Sequence, residues 1–206
     1  MIAFPRRWPL VPTLLVLLAV LAMVGLGIWQ LQRRTQKEAM IALIRSNAGR
    51  PAAAFPRFGP VPPELLFRSS SLQCLWIEGW TSEAGRAADG SAGFRYIARC
   101  RTGAEGPGAL VELGVGARPD LKPAWNGGAV EGWIAEEPDH RSLLSHLTGP
   151  SVVLRPMLVA QASPDTRLKA PARPDVANIP NNHLGYAIQW FGFAVSALII
   201  YMIALG

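Results

Sequence analysis

One of the three histidines in this chain stands where it could take a ligand. His183 opens an uncharged stretch, Arg33 and Arg34 follow the end of another, and Trp29 and Trp190 lie just inside the two stretches. Neutral imidazole ligates iron, guanidinium groups fork onto carboxylates, and indole rings wall an apolar slot. Together they suit an amphipathic anion such as haem, with His183 on the iron, Arg33 or Arg34 on the propionates, and Trp29 and Trp190 at the sides. The same residues also describe an interfacial histidine capped by Asn181 or Asn182, with basic flanks and aromatic anchors at a membrane edge. Both readings stand at this point.

Other candidate chemistry is thinner. Glu136, Glu137, Asp139, His140 and His146 have metal-binding side chains, but two histidines six apart point about 240° away from each other on a helix. They read as the solvated start of a helix over 138–147. Cys74 and Cys100 are the only cysteines. If Trp80 opposes Phe94 in a hairpin, the two cysteines face each other, so a disulfide and a pair of buried thiols are both open. There is no phosphate loop, nucleophile elbow, zinc-protease motif or Cys-x-x-Cys, and a non-enzymatic role is expected. Met157 stands alone over residues 72–162, which argues against a copper carrier.

The elements that would position His183 are set by charge. Hydrophobic residues make up 50% of the chain and charged ones only 17%, and residues 8–32 and 181–206 contain no charge. Each stretch could cross a hydrocarbon core of about 30 Å as a helix. Val20, Leu21 and Ala22 loosely resemble a signal cleavage site. The apolar run continues through Trp29, past the roughly 7 to 15 residues of a signal, so an uncleaved anchor is expected. Without an Arg-rich, Ser-rich presequence, a bacterial plasma membrane is the expected location. The fold class expected is thus a membrane protein, two transmembrane helices forming a hairpin around a small β-rich (α+β) domain. Basic residues near the first span favour a cytoplasmic middle domain, but residues 33–180 exceed the ~60 residues over which that bias governs orientation. The acidic residues and all basic ones except Arg6 and Arg7 lie between Arg33 and Asp175, a net of +4. They are scattered rather than gathered in a basic stripe, which suits a surface facing lipid headgroups and not a nucleic acid.

Helical spacing continues over 33–49 as a membrane-edge extension that Asn47 and Gly49 stop. A Pro-rich connector, 50–71, follows. Over 72–162 the period changes to two: Leu72, Cys74 and Trp76, then Phe94, Tyr96, Ala98 and Cys100, alternate with polar residues. Further runs at 110–115, 130–135 and 151–160 make five short strands in one small antiparallel domain, open to closure as a barrel. A second Pro-rich connector, 163–180, leads to the second span. There, His183, Ala187, Trp190, Ala194, Ala197 and Tyr201 form one stripe of small and aromatic residues, and Gly192 with Ser196 offers another contact.

Two ends of the chain resemble the Surfeit locus protein 1 family of cytochrome c oxidase assembly factors. Leu26-Gly27-Ile28-Trp29-Gln30-Leu31, Arg33, Arg34 and Lys37 resemble the family's exit from its first span. Asn181-Asn182-His183-Leu184, Tyr186-Ala187 and Gln189-Trp190-Phe191 resemble its entry to the second, the more specific match. Taken with the bacterial inner membrane expected above, the resemblance implies a multi-pass protein whose middle domain is extracytoplasmic, in the periplasm, or in the intermembrane space in mitochondria. It implies a role in building oxidase subunit I with other oxidase assembly proteins, and haem a bound or handed over through His183. The middle domain departs from the pattern: where relatives read valine-asparagine-arginine-glycine-tryptophan, this chain has Val111-Glu112-Leu113-Gly114-Val115. A scaffold that never touches cofactor and, more remotely, a haem-modifying enzyme remain the alternative roles.

Overall fold

The computed structural model describes residues 9–106, 108–142, 150 and 152–205, and divides into two compact units: the termini with the helices up to Ile41 and from Ile179, and Ala42–Asn178. The first helix, α1 (Leu10–Asn47), is continuous through the uncharged stretch and its polar extension. The last, α2 (His183–Leu205), takes up the second stretch. Both are long and apolar enough to cross a membrane.

In the terminal unit the helices run antiparallel, as three side-chain contacts show. Gln30 meets His183, Gly27 meets Phe191, and Thr13 hydrogen-bonds Tyr201. A Cβ at Gly27 would lie 2.6 Å from the Phe191 ring, so only glycine lets the ring sit there. The α2 stripe read from sequence is the one that faces α1, with Ala187 and Ala194 buried and His183, Trp190, Ala197 and Tyr201 half-buried. Gly192 and Ser196 are corrected: both are exposed, and nothing lies near the place where a Cβ would stand at Gly192. They sit off the stripe by about a quarter turn or more, so the contact that spacing suggested does not form.

The middle unit is a single six-stranded sheet. Its strands are β1 (Ser69–Cys74), β2 (Trp76–Arg86), β3 (Ala92–Arg101), β4 (Ala109–Gly116), β5 (Gly128–Glu136) and β6 (Pro156–Ala160), in the order β1-β5-β6-β4-β3-β2. All neighbours are antiparallel except β4 and β6. The two ends of that order are one run of chain, since only Leu75 separates β1 from β2, and its N–H donates to the Arg101 carbonyl. The sheet therefore curls into a barrel closed by a bent strand. Cys74, Tyr96, Ala98, Cys100, Val111, Leu113 and Leu158 fill it.

The expected count of five strands falls short by one. β2 runs to Arg86, a length hidden because Gly79 and Gly85 interrupt its alternation. Strand structure begins at Ser69, inside the stretch read as connector. The alternation Leu72, Cys74, Trp76 fails at Leu75, where the chain bends between partners and leaves Trp76 47% exposed. The helix expected over 138–147 is absent over 138–142, where the chain is irregular, and its remainder lies outside the described residues.

Cys74 and Cys100 form a disulfide, with Cα atoms 5.3 Å apart. The register that suggested it is wrong: Trp80 faces Ala98, Phe94 faces Ala84, and Cys100 faces Ile77. The bond instead joins β1 to β3 across the barrel closure, so the cysteines meet through curvature and not as hairpin partners.

The first Pro-rich connector, and the second as far as Asn178, belong to the middle unit. Leu168 is part of the core, and Asp165, nearly buried, accepts from the Arg167 side chain and from the Ala124 N–H at 2.7 Å. The Arg167 guanidinium holds the Asp165 carboxyl well below the usual carboxylate range. At the end of α1, the buried Asn47 amide donates to the carbonyls of Pro63 (2.7 Å) and Leu66 (3.0 Å). Those bonds brace the turn in which Phe67 is held at φ 64°, a strained region for a bulky side chain.

Candidate functional site

His183 is the first residue of α2, half-buried, and its Nδ1 lies 2.7 Å from Oε1 of Gln30 on α1. An amide oxygen accepts and cannot donate, so this contact selects the tautomer protonated at Nδ1. In the neutral ring the lone pair is then on Nε2, the state an imidazole needs to ligate a metal. Asn181 and Asn182, named from sequence as caps, do not hold the ring: Asn182 contributes its backbone carbonyl to the Tyr186 N–H, and the buried Asn181 Oδ1 has no hydrogen-bond partner among the described residues.

Gln30 is the residue that sequence reasoning missed. Its signal was present, because Thr13, Gly27 and Gln30 fall on one face of α1, and a polar amide within an uncharged stretch of helix calls for a partner.

The two arginines are placed on the same helix as Gln30 and are engaged there. The Arg33 guanidinium lies 5.7 Å from the centre of the Trp29 ring and donates to Gln36, while Arg34 donates to Glu38 at 2.7 Å. Both contacts are exposed, where ion pairs and cation–π contacts are weak enough to be exchanged for another anion. Trp190 packs edge-to-face on Phe193 with ring centres 6.1 Å apart, and Trp29 is 46% exposed. The structure thus joins His183 to Gln30 and Arg33 to Trp29, with Trp190 turned to its own helix neighbour.

The acidic segment after β5 does not gather a metal. Glu136 accepts from the Val61 N–H, Glu137 from Arg155, Asp139 from Arg141, and His140 pairs with Glu83. His146 lies outside the described residues. Among the described residues no group of three His, Cys, Asp or Glu side chains is arranged to hold a metal ion.

A second charged group sits on β4. Glu112, 6% exposed, lies 3.7 Å from Arg95, which also reaches Glu83 at 3.1 Å. Burial pushes the Glu112 carboxyl up to about 7, against the pull of Arg95 and with the repulsion of Glu83. Just after it, Leu113 is fully buried in the barrel, and a Cβ at Gly114 would meet the Lys169 carbonyl at 2.7 Å. The departure from the family pattern here therefore keeps a working core strand.

Two apolar terminal helices carrying a polar pair, with a β-rich domain between them, define a membrane-anchored β-domain protein. The chain belongs to the SURF1 family, whose model matches residues 17–195 and so takes in most of α1, the whole barrel and the first part of α2. A comparison with curated proteins found no match.

Proposed function

We propose that this protein is a non-catalytic membrane assembly factor for cytochrome c oxidase that assists insertion of haem a into subunit I. Family membership supports the assembly role, and the Gln30–His183 contact carries the cofactor reading. The donor set fits haem: a neutral imidazole nitrogen with its tautomer set by a neighbour, guanidinium groups in exchangeable contacts, and apolar rings beside them. Haem would supply an iron centre that accepts a nitrogen ligand and carboxylates that accept guanidinium. Gln30 orients the ring of His183, Nε2 of His183 serves as the ligand, and Arg33 or Arg34 trades Gln36 or Glu38 for a propionate. Trp29 and Trp190 offer apolar contact. A single protein ligand favours release to a partner over permanent retention.

In this reading the two helices form a hairpin in a bacterial inner membrane and the barrel faces the periplasm. The Cys74–Cys100 disulfide supports that side, because structural disulfides persist in oxidising compartments and are rare in the cytoplasm. Subunit I and other oxidase assembly proteins are the partners, within a lipid bilayer.

The test is a titration of detergent-purified protein with haem a. Wild type shifts the Soret band, His183→Ala loses the shift, and Gln30→Leu weakens binding about 10- to 100-fold. An unchanged titration for His183→Ala removes the histidine and favours a cofactor-independent scaffold. A deletion strain whose membranes lack haem a altogether, instead of holding it poorly incorporated, favours a haem-modifying enzyme.

A further inference from the structure

The barrel has a basic cleft that the proposed role leaves unused. It encloses about 130 Å³ where the first connector crosses the sheet, and Arg57, Arg99, Arg155 and Glu78 line it with Phe58 at its mouth. Two of these charges are already matched. Glu78 accepts from Arg101 at 2.5 Å, and Arg155 donates to both carboxylate oxygens of Glu137. Arg57 and Arg99 have no hydrogen-bond or ion-pair partner for their guanidinium groups among the described residues.

Arg99, exposed at the cleft, lies against the backbone of β2. β2 bulges between Ile77 and Gly79, and Gly79 is the register partner of Arg99. A Cβ at Gly79 would stand 2.4 Å from Nη2 of Arg99 and 3.2 Å from its Cζ. The guanidinium thus lies across bare backbone that only glycine leaves open, with its donors set at the cleft wall. Two unmatched guanidinium groups in one small cleft repel each other, and one dianion with several acceptor oxygens neutralises both. A phosphate monoester has that charge, and its oxygens match the guanidinium fork. Phe58, 71% exposed, adds an apolar surface for the rest of such a ligand.

The geometry points to a binding site for the phosphate group of an organic phosphate, with Arg57 and Arg99 as its anion ligands and Gly79 as the residue that positions Arg99. The chemistry is common to an anionic phospholipid headgroup and to a water-soluble phosphoester. The probe is phenyl phosphate, titrated calorimetrically into the full chain in detergent at pH 7.5. Saturable binding is expected, weakened at least about tenfold by Arg57→Gln and by Arg99→Gln, and unchanged by Arg118→Gln on an exposed loop.

Gly79→Ala is the decisive variant. It keeps every charge, meets only the movable end of a side chain, and shifts Arg99, so affinity is expected to fall several-fold with the melting temperature unchanged. If Gly79→Ala binds as wild type does, or if Arg118→Gln weakens binding as much as the two cleft variants, the built site is overturned in favour of a diffuse basic surface. If an acidic peptide binds where phenyl phosphate does not, the phosphate assignment is overturned in favour of a protein partner. With binding established, competition by nanodiscs containing phosphatidic acid assigns the headgroup as the source, and lack of competition assigns the soluble ester.

Discussion

The helix pair and the barrel bury opposite kinds of residue. In the terminal unit Leu14, Leu15, Leu18, Leu21, Ile188, Ile199 and Ile203 face outward, while Thr13, Gly27, Gln30, His183, Ala187 and Ala194 face the partner helix. In the middle unit Val111, Leu113, Ile134 and Leu158 are inside and most charges are outside. The solvent explains the inversion. Lipid tails reward outward leucines as well as a protein core does, so helix association must come from close approach of small residues and from polar pairs. In water the same leucines drive collapse. A polar contact such as Gln30–His183 is thus part of what joins the helices, whereas Glu112 in the barrel is a charge that folding must accommodate.

The largest test of this contrast is the disulfide. Cys74 and Cys100 close a loop with a sequence separation of 26, for which the chain-entropy account gives about 3.5 kcal/mol. Replacing both with Ala is expected to destabilise the barrel by roughly that amount, read by near-UV circular dichroism in denaturant. The far-UV helical signal of the spans is expected to survive. Simultaneous loss of both signals would show that the units unfold as one.

Next comes Glu112. Its carboxyl is raised to about 7, so the folded barrel binds that proton more tightly than the unfolded chain does. The associated stability is complete below the ordinary carboxyl value near 4.5 and is lost as pH rises through about 7. It amounts to at most about 3 kcal/mol at one pKa unit per 1.36 kcal/mol. Glu112→Gln is expected to flatten the fall in stability between pH 5 and pH 9. A fall as steep as that of wild type would place the proton elsewhere.

The smallest effect is expected in the helix pair. Gly27→Leu drives a side chain into the Phe191 ring, at a cost of about 1–3 kcal/mol for overpacking, and Phe191→Ala in the same chain relieves part of it. Disulfide yield between Thr13→Cys and Tyr201→Cys reports the helix contact. It drops in Gly27→Leu and recovers in the double variant, whereas Gly192→Leu leaves it unchanged because Gly192 faces outward.

Much of this arrangement is legible in residue spacing. The two uncharged stretches, the continuation of α1 to Asn47, and the small-residue stripe of α2 all follow from period and charge. So does the β-rich character of the middle. The candidate site was half legible: His183 stands out by type and place, while Gln30 looks like any polar residue near the end of an uncharged stretch until the facing stripe of α1 is traced. β2 was lost at Gly79 and Gly85, and the glycine that disguised the strand is the one over which Arg99 lies.

By itself the sequence determined which segments are apolar helices, which segment is a sheet, and which face of α2 is small, because these depend on residues a few positions apart. Only the tertiary structure decided that Cys74 meets Cys100 across a curled sheet and that Gln30, 153 positions away, orients His183. Such meetings follow from how far a sheet bends and at what height two helices pass. Those quantities are set by the packing of many side chains together, and no local period records them.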